Sequence, residues 1–180
     1  MKVQLPENIS EITLNQFQRY QELLTRDIDI MNFTKRKISI FTKIPFKDLA
    51  NVRATDFERL SSQIDKALST PANFTNTFKL NGIEFGFVPD LDEITAGEYA
   101  DIEKYQDGID NLHKVMAVLF RHVLNKEGKR YEIESYSGTK KYSELLKEMP
   151  LNIVNGALVF FLNLANELED CTQKYLIEGL

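Results

Sequence analysis

The sequence predicts an α-rich α+β fold, mainly helical with about six helices, one β-hairpin and room for a third short strand. Three observations predict it. Helix-start signatures recur at Thr13-Leu14-Asn15-Gln16, Thr55-Asp56-Phe57-Glu58 and Thr95-Ala96-Gly97-Glu98. In each, a threonine hydroxyl can cap the third helical amide while the residue there reaches back to the cap. Apolar residues then return at helical spacing through most of the chain. Around Asn81-Gly82 the apolar period falls to two.

Taken in order, residues 14–26 form the first expected helix, with Phe17, Tyr20 and Leu24 on one face. Ile12 with Phe17, and Ile94 with Tyr99, have the spacing of a hydrophobic staple at the first and third of these helix starts. A second helix covers 27–42 and stops before Pro45, because a residue preceding proline is pushed out of the helical region. A short helical turn at 46–52 leads to a helix over 56–69, repeating Phe57, Leu60, Ile64 and Leu68. The hairpin pairs Leu80 with Ile83 and Phe78 with Phe85, so these four share a face. A lone hairpin is marginal in water. It must pack on the helices or find another strand, for which 130–136, alternating through Tyr131 and Ile133, is the candidate.

Residues 107–124 read as one helix with a stripe of Ile109, Leu112, Val115, Met116, Leu119, Phe120 and Val123. A short helix at 142–148 is broken by Pro150, and a last helix over 152–175 buries Val154, Ala157, Phe161, Leu164, Leu168, Cys171 and Tyr175. Val159, Phe160 and Leu162 extend its apolar surface to the other side. A helix apolar most of the way round is either central in a core or part of a subunit contact. These three residues are therefore the candidate subunit interface. Repeats and linker-like shifts in composition are absent, so residues 1–180 read as one domain, with 1–11 as an extended N-terminal arm.

Composition narrows the function. At 180 residues with a net charge of −5, the chain lacks the concentrated positive field that nucleic acid requires of a main partner. The clusters Lys35-Arg36-Lys37 and 126–130 read as solvated helix ends or turns. A single cysteine, Cys171, rules out an intrachain disulfide. The first residues lack the apolar core of a signal peptide, and the greasy stretch 151–165 is interrupted by asparagines. That stretch falls short of the roughly 20 apolar residues of a membrane span. A protein made in the cytosol, with no membrane partner, is expected.

Chemistry-bearing patterns are sparse. His113 and His122, nine residues apart on one expected helix, would face opposite ways at about 100° per residue and could not share a metal. Cys171 follows Glu169 and Asp170 on an apolar helix face, the reverse of the cationic setting that activates a thiol. The acids Asp90, Asp92, Glu93, Glu98, Asp101 and Glu103 lack the ligand ladder of a calcium loop. Asp92 and Glu93 suit a helix N-terminus electrostatically. A carboxylate pair for glycan hydrolysis within 90–103 is the enzymatic alternative. Phosphate-binding glycine loops and nucleophile elbows do not occur. No cofactor, no metal and no catalytic residue are expected.

Two stretches carry a resemblance. Ile38-Ser39-Ile40-Phe41-Thr42-Lys43-Ile44-Pro45, continuing to Leu49, Asp56 and Leu60, resembles a pattern in tail-assembly and virion proteins of tailed bacteriophages. Phe85-Gly86-Phe87-Val88-Pro89-Asp90-Leu91-Asp92-Glu93-Ile94-Thr95-Ala96-Gly97-Glu98-Tyr99-Ala100-Asp101 is similar to a run in small structural proteins of crAss-like podoviral phages. The segment 112–121 and the helix from Pro150 to Leu164 continue the likeness, although Arg121-His122 stands where other members have Arg-Pro. The resemblance implies a non-enzymatic virion protein, a ring or adaptor subunit of the head–tail connection. Its partners would be portal, tail or neighbouring ring proteins in a homo-oligomeric ring. A tail-assembly chaperone, absent from the finished particle, is the alternative.

Overall fold

The computed structural model of the chain describes residues 5–91 and 93–160. It is an α+β fold whose centre is a four-stranded antiparallel sheet in the order β1-β2-β3-β4. The strands are β1 (Thr77–Leu80), β2 (Ile83–Phe87), β3 (Phe120–Glu127) and β4 (Arg130–Ile133). The expectation of about six helices with one hairpin is therefore corrected: the β-structure is a full meander, and 3-10 turns supplement the α-helices. Those are α1 (Leu14–Leu24), α2 (Ile30–Thr42), α3 (Ala54–Leu68), α4 (Ala96–Tyr105), α5 (Leu112–Leu119) and α6 (Ser143–Leu146). A further helix, α7, occupies residues 151–160. The part of the last helix expected beyond 160, with Cys171, lies outside the described residues.

The first hairpin forms as its sequence requires. Thr77 to Leu80 pair with Gly86 to Ile83 in the expected register, and Asn81 and Gly82 both take positive φ, 48° and 81°. Two left-handed residues make a type I′ turn, whose twist matches that of the strands it joins. The second hairpin was hidden by a coincidence of period. Leu112, Val115, Met116 and Leu119 are truly helical, but the apparent continuation through Phe120 and Val123 belongs to β3. A strand leaving a helix without a break presents its own aromatic and β-branched residues, and these met the helical spacing by chance. The signal that would have separated them is Gly128, φ 63°, opening a two-residue turn between the paired Glu127 and Arg130. The segment 130–136 is a strand as far as Ile133, but it extends the sheet through β3 rather than joining the first hairpin directly.

The sheet has two unlike faces. Phe85, Phe87 and Phe120 are buried on one, with Phe78 stacked on Phe85 at 5.5 Å and edge-on to Phe120 at 5.3 Å. Tyr142 meets Phe85 edge-on at 5.2 Å, which seats α6 on this face. The other face carries Gly86 beside Arg121, with the Tyr131 ring over Gly86 and its hydroxyl donating to Phe87 O at 2.8 Å.

Two of the three capping boxes form. Thr13 Oγ1 accepts from Gln16 N at 3.2 Å while Gln16 Oε1 accepts from Thr13 N at 3.0 Å. Thr95 and Glu98 make the same reciprocal pair. The box at Thr55 does not form: α3 starts two residues early, with Arg53 at the cap position making no capping hydrogen bond and Asp56 accepting from Arg53 and Arg59. Thr13→Ala is expected to cost about 1 kcal/mol in urea unfolding. A loss beyond that would mean that Gln16, which also donates to Ile40 O at 3.0 Å, lets go of α2 as well.

Beyond α1, the chain is tied together by a few long-range contacts. Leu14 N donates to Met149 O at 2.9 Å and Leu151 N to Ile12 O at 2.8 Å, so the first turns of α1 and α7 lie side by side. Lys37, buried on α2, is clamped by both oxygens of Asp65 on α3 at 2.9 and 2.8 Å. The N-terminal residues that are described, 5–11, include a 3-10 turn at Ile9–Glu11 with Ile9 buried.

Candidate functional site

The two expected interface residues that are described, Val159 and Phe160, fall on α7. Val159 is 53 % exposed. Phe160 is half-buried instead, stacked on Phe74 at 4.6 Å and edge-on to Phe87 at 5.7 Å. Leu162 lies outside the described residues. Beside this aromatic cluster is an open cleft of about 810 Å³, lined by Phe74, Phe87, Leu91, Tyr131 and Phe160 and rimmed by Lys129 and Arg130.

The acids of 90–103 are dispersed into structural work. Glu98, 2 % exposed, holds the Thr95 cap with Oε2 and faces Arg121 with Oε1, 2.7 Å from Nη2. That pair is close but poorly aligned, and neither Glu98 Oε1 nor Arg121 Nε makes a hydrogen bond. Asp101 accepts from the Tyr136 hydroxyl. Burial first, and Asp101 second, push the Tyr136 phenol well above its ordinary range. The Arg121 guanidinium also lies 6.0 Å from the Tyr136 ring centre. Asp92 is outside the described residues. This cluster joins α4, β3 and the segment after β4, and the order of the residues in the chain could not show it.

The histidines do not share a helix. His113 is on α5 and His122 on β3, paired in register with Phe85. His113 is buried, and burial lowers its pKa, so its 3.9 Å approach to Glu144 joins a neutral ring to a carboxylate at pH 7. Gln18 lies 3.2 Å from His113 Nδ1 and donates to Ile109 O at 2.7 Å, binding α1 to the start of α5. Among the described residues no group of three or more His, Cys, Asp or Glu side chains could hold a metal ion. Nor is any helix among them long and apolar enough to cross a membrane.

Sequence reasoning missed the outer face of the α1–α2 hairpin. Leu24, expected on one face of α1 with Phe17 and Tyr20, is 49 % exposed, while the buried residues of the helix are Leu14, Gln18 and Leu23. Ile30 and Met31 are 85 % and 55 % exposed in the first turn of α2, which Asp29 caps. A separate hollow of about 230 Å³ between the two helices is lined by Arg19, Arg26, Arg36 and Phe46. Phe46 is 41 % exposed and carries the Arg36 guanidinium 5.3 Å above its ring. The signal available in the sequence was a pair of large apolar residues, Ile30-Met31, directly after a helix cap, a position that often overhangs the core.

Comparison with known proteins adds nothing to this geometry: the chain matches no family model, no curated protein and no solved structure.

Proposed function

We propose that this chain is a non-enzymatic structural subunit of a tailed-phage particle, a ring or adaptor protein of the head–tail connection. The observation that carries the reading is the exposure of large apolar side chains on different elements, Val159 on α7 and Leu24, Ile30 and Met31 around the α1–α2 turn. The first turns of α1 and α7 are bonded together, and Val159 lies roughly 12 Å along α7, and Leu24 roughly 15 Å along α1, from that junction. A closed ring is built from heterologous contacts, in which one patch of a subunit meets a different patch of the next. The likeness of the 38–60 and 85–101 segments to phage structural proteins supports the same reading. Chemistry at the acids of 90–103 is not favoured, since Glu98 and Asp101 are committed to Arg121 and Tyr136.

Quantitative mass spectrometry of purified particles, with the major capsid protein as standard, tests it. Presence at a portal-like copy number is expected. Absence from particles with abundance in the infected-cell lysate would overturn the ring and favour an assembly chaperone. At the level of single residues, Val159→Asp is expected to leave thermal stability within about 0.5 kcal/mol, as for an exposed site. The same change should abolish incorporation into particles. A large drop in stability instead would show that Val159 belongs to the core.

A further inference from the structure

Gln18 and His113 are buried polar residues on different elements, and their side chains are set against each other. Gln18 lies in the middle of α1, and His113 lies in the first turn of α5, just after the 3-10 turn Ile109–Asn111. Two carbonyl oxygens fix which way the Gln18 amide points. Its nitrogen donates to Ile109 O at 2.7 Å and to Asp110 O at 3.1 Å. Turned over, the amide would set its own oxygen against both carbonyls. The group 3.2 Å from His113 Nδ1 is therefore a donor, and Nδ1 must accept. That places the ring proton on Nε2, the side that Glu144 Oε1 approaches to 3.9 Å.

We infer that Gln18 and His113 form an acid-sensitive latch, in which a proton on Nδ1 releases the Gln18 amide and with it the hold of α1 on the start of α5. The inference does not depend on the ring reading. A protonated Nδ1 points a hydrogen at an amide nitrogen that has only hydrogens to offer. An acceptor within reach is Asp110 O, which Gln18 already uses, so ring and amide compete for it. Gln18 is 7 % exposed, and a buried amide left without partners costs more than the net worth of the bond it made.

The charges around the ring act in both directions. Lys147 beyond α6 and Lys114 on α5 oppose a further positive charge, while Glu144 on α6 favours it. Glu144 is exposed and paired with Lys147 at 2.9 Å. From α1 the ring meets the uncharged Gln18, and Glu22, one turn on, is paired with Arg26. Burial is the largest influence, and with the lysines it holds the imidazole below its ordinary value of 6.5. A group whose folded pKa is depressed in this way makes the latch fully closed above the ordinary value. The latch opens as pH falls from there through the lower folded value. The first turn of α1 stays tied to Met149 O and Ile40 O, so release frees the later part of the helix, toward Leu24, rather than the whole fold.

The test uses the full chain with His122→Gln, which leaves His113 as its only histidine. Imidazole NMR follows the titration. Hydrogen exchange, corrected for the intrinsic effect of pH, follows the amides of α1. The ring should titrate below about pH 6.5, and protection of residues 19–24 should fall over the same range. This comparison needs no change at either residue, so it stands even if a further variant misfolds. Gln18→Met removes the opposing donor with little change in volume, so the ring should then titrate closer to its ordinary value. His113→Asn, neutral throughout, should keep α1 protection level with pH. A ring titration that Gln18→Met leaves in place overturns the inference. So does α1 protection that ignores the His113 titration, or a loss of protection that persists in His113→Asn.

Discussion

Replacing Arg121 by alanine should cost about 3–5 kcal/mol of stability, because it strands the buried carboxylate of Glu98. Arg121 is 9 % exposed and Glu98 2 %, and the pair lies on the far side of the sheet from Phe120. Taking two charges out of water is costly, and their attraction roughly balances that cost; removing one partner leaves the other's cost unopposed. Glu98→Ala should be nearly as damaging, with the added loss of the acceptor for Thr95 N, 2.7 Å away. The informative experiment is the double replacement Arg121→Met with Glu98→Leu, measured by urea unfolding beside the single variants. Since the pair is incompletely hydrogen-bonded, the double variant should recover most of the loss. A single-variant loss below about 1 kcal/mol would mean that water reaches the pair and that α4 does not seal this face.

This pair also shows where sequence reading stops. An arginine inside the apolar run Met116-Ala117-Val118-Leu119-Phe120-Arg121-His122-Val123 has to be paired if it is buried, and that much could be anticipated. Its partner, 23 positions away on a capped helix, could not, because pairing is decided by where tertiary packing sets α4. Local chemistry was legible. The left-handed turn at Asn81-Gly82 and the reciprocal caps at Thr13 and Thr95 follow from bonds within four residues, and they formed in the expected register. The Thr55 box failed because Arg53 and Asp56 offered the chain an earlier start of equal local merit. Strand β3 was missed because helical and strand periods coincide over a few residues, and only the Gly128 turn distinguishes them. On the candidate interface, Val159 is exposed while its neighbour Phe160 turns back to Phe74. Neighbours on a helix are about 100° apart, so they need not share an environment.

Gly156→Ala should destabilise the fold by about 3 kcal/mol, at the upper end of ordinary overpacking. By helix propensity alone the change would stabilise by roughly 0.8–1 kcal/mol, since glycine is the poorer helix former. Packing reverses the sign. A Cβ at position 156 would sit 2.6 Å from the carbonyl oxygen of Asn73, and 2.9 Å from both Asn73 C and Phe74 Cα. These are backbone atoms, so no side-chain rotation relieves the clash, and either α7 or the 73–74 segment must move. Val154 and Ala157, fully buried on the same helix, resist movement of α7. Displacing 73–74 instead breaks the stack of Phe74 on Phe160 and its edge contact with Phe87 at 5.0 Å. Urea unfolding should show a lower midpoint with an unchanged slope. A stabilised Gly156→Ala protein would place the 73–74 segment away from α7. The contrast with Val159→Asp then separates two roles on one helix, three residues apart. Gly156 lets α7 lie against the chain and so aims Val159 outward, and on the proposed ring reading its loss should lower stability and particle incorporation together. Val159 should affect incorporation alone.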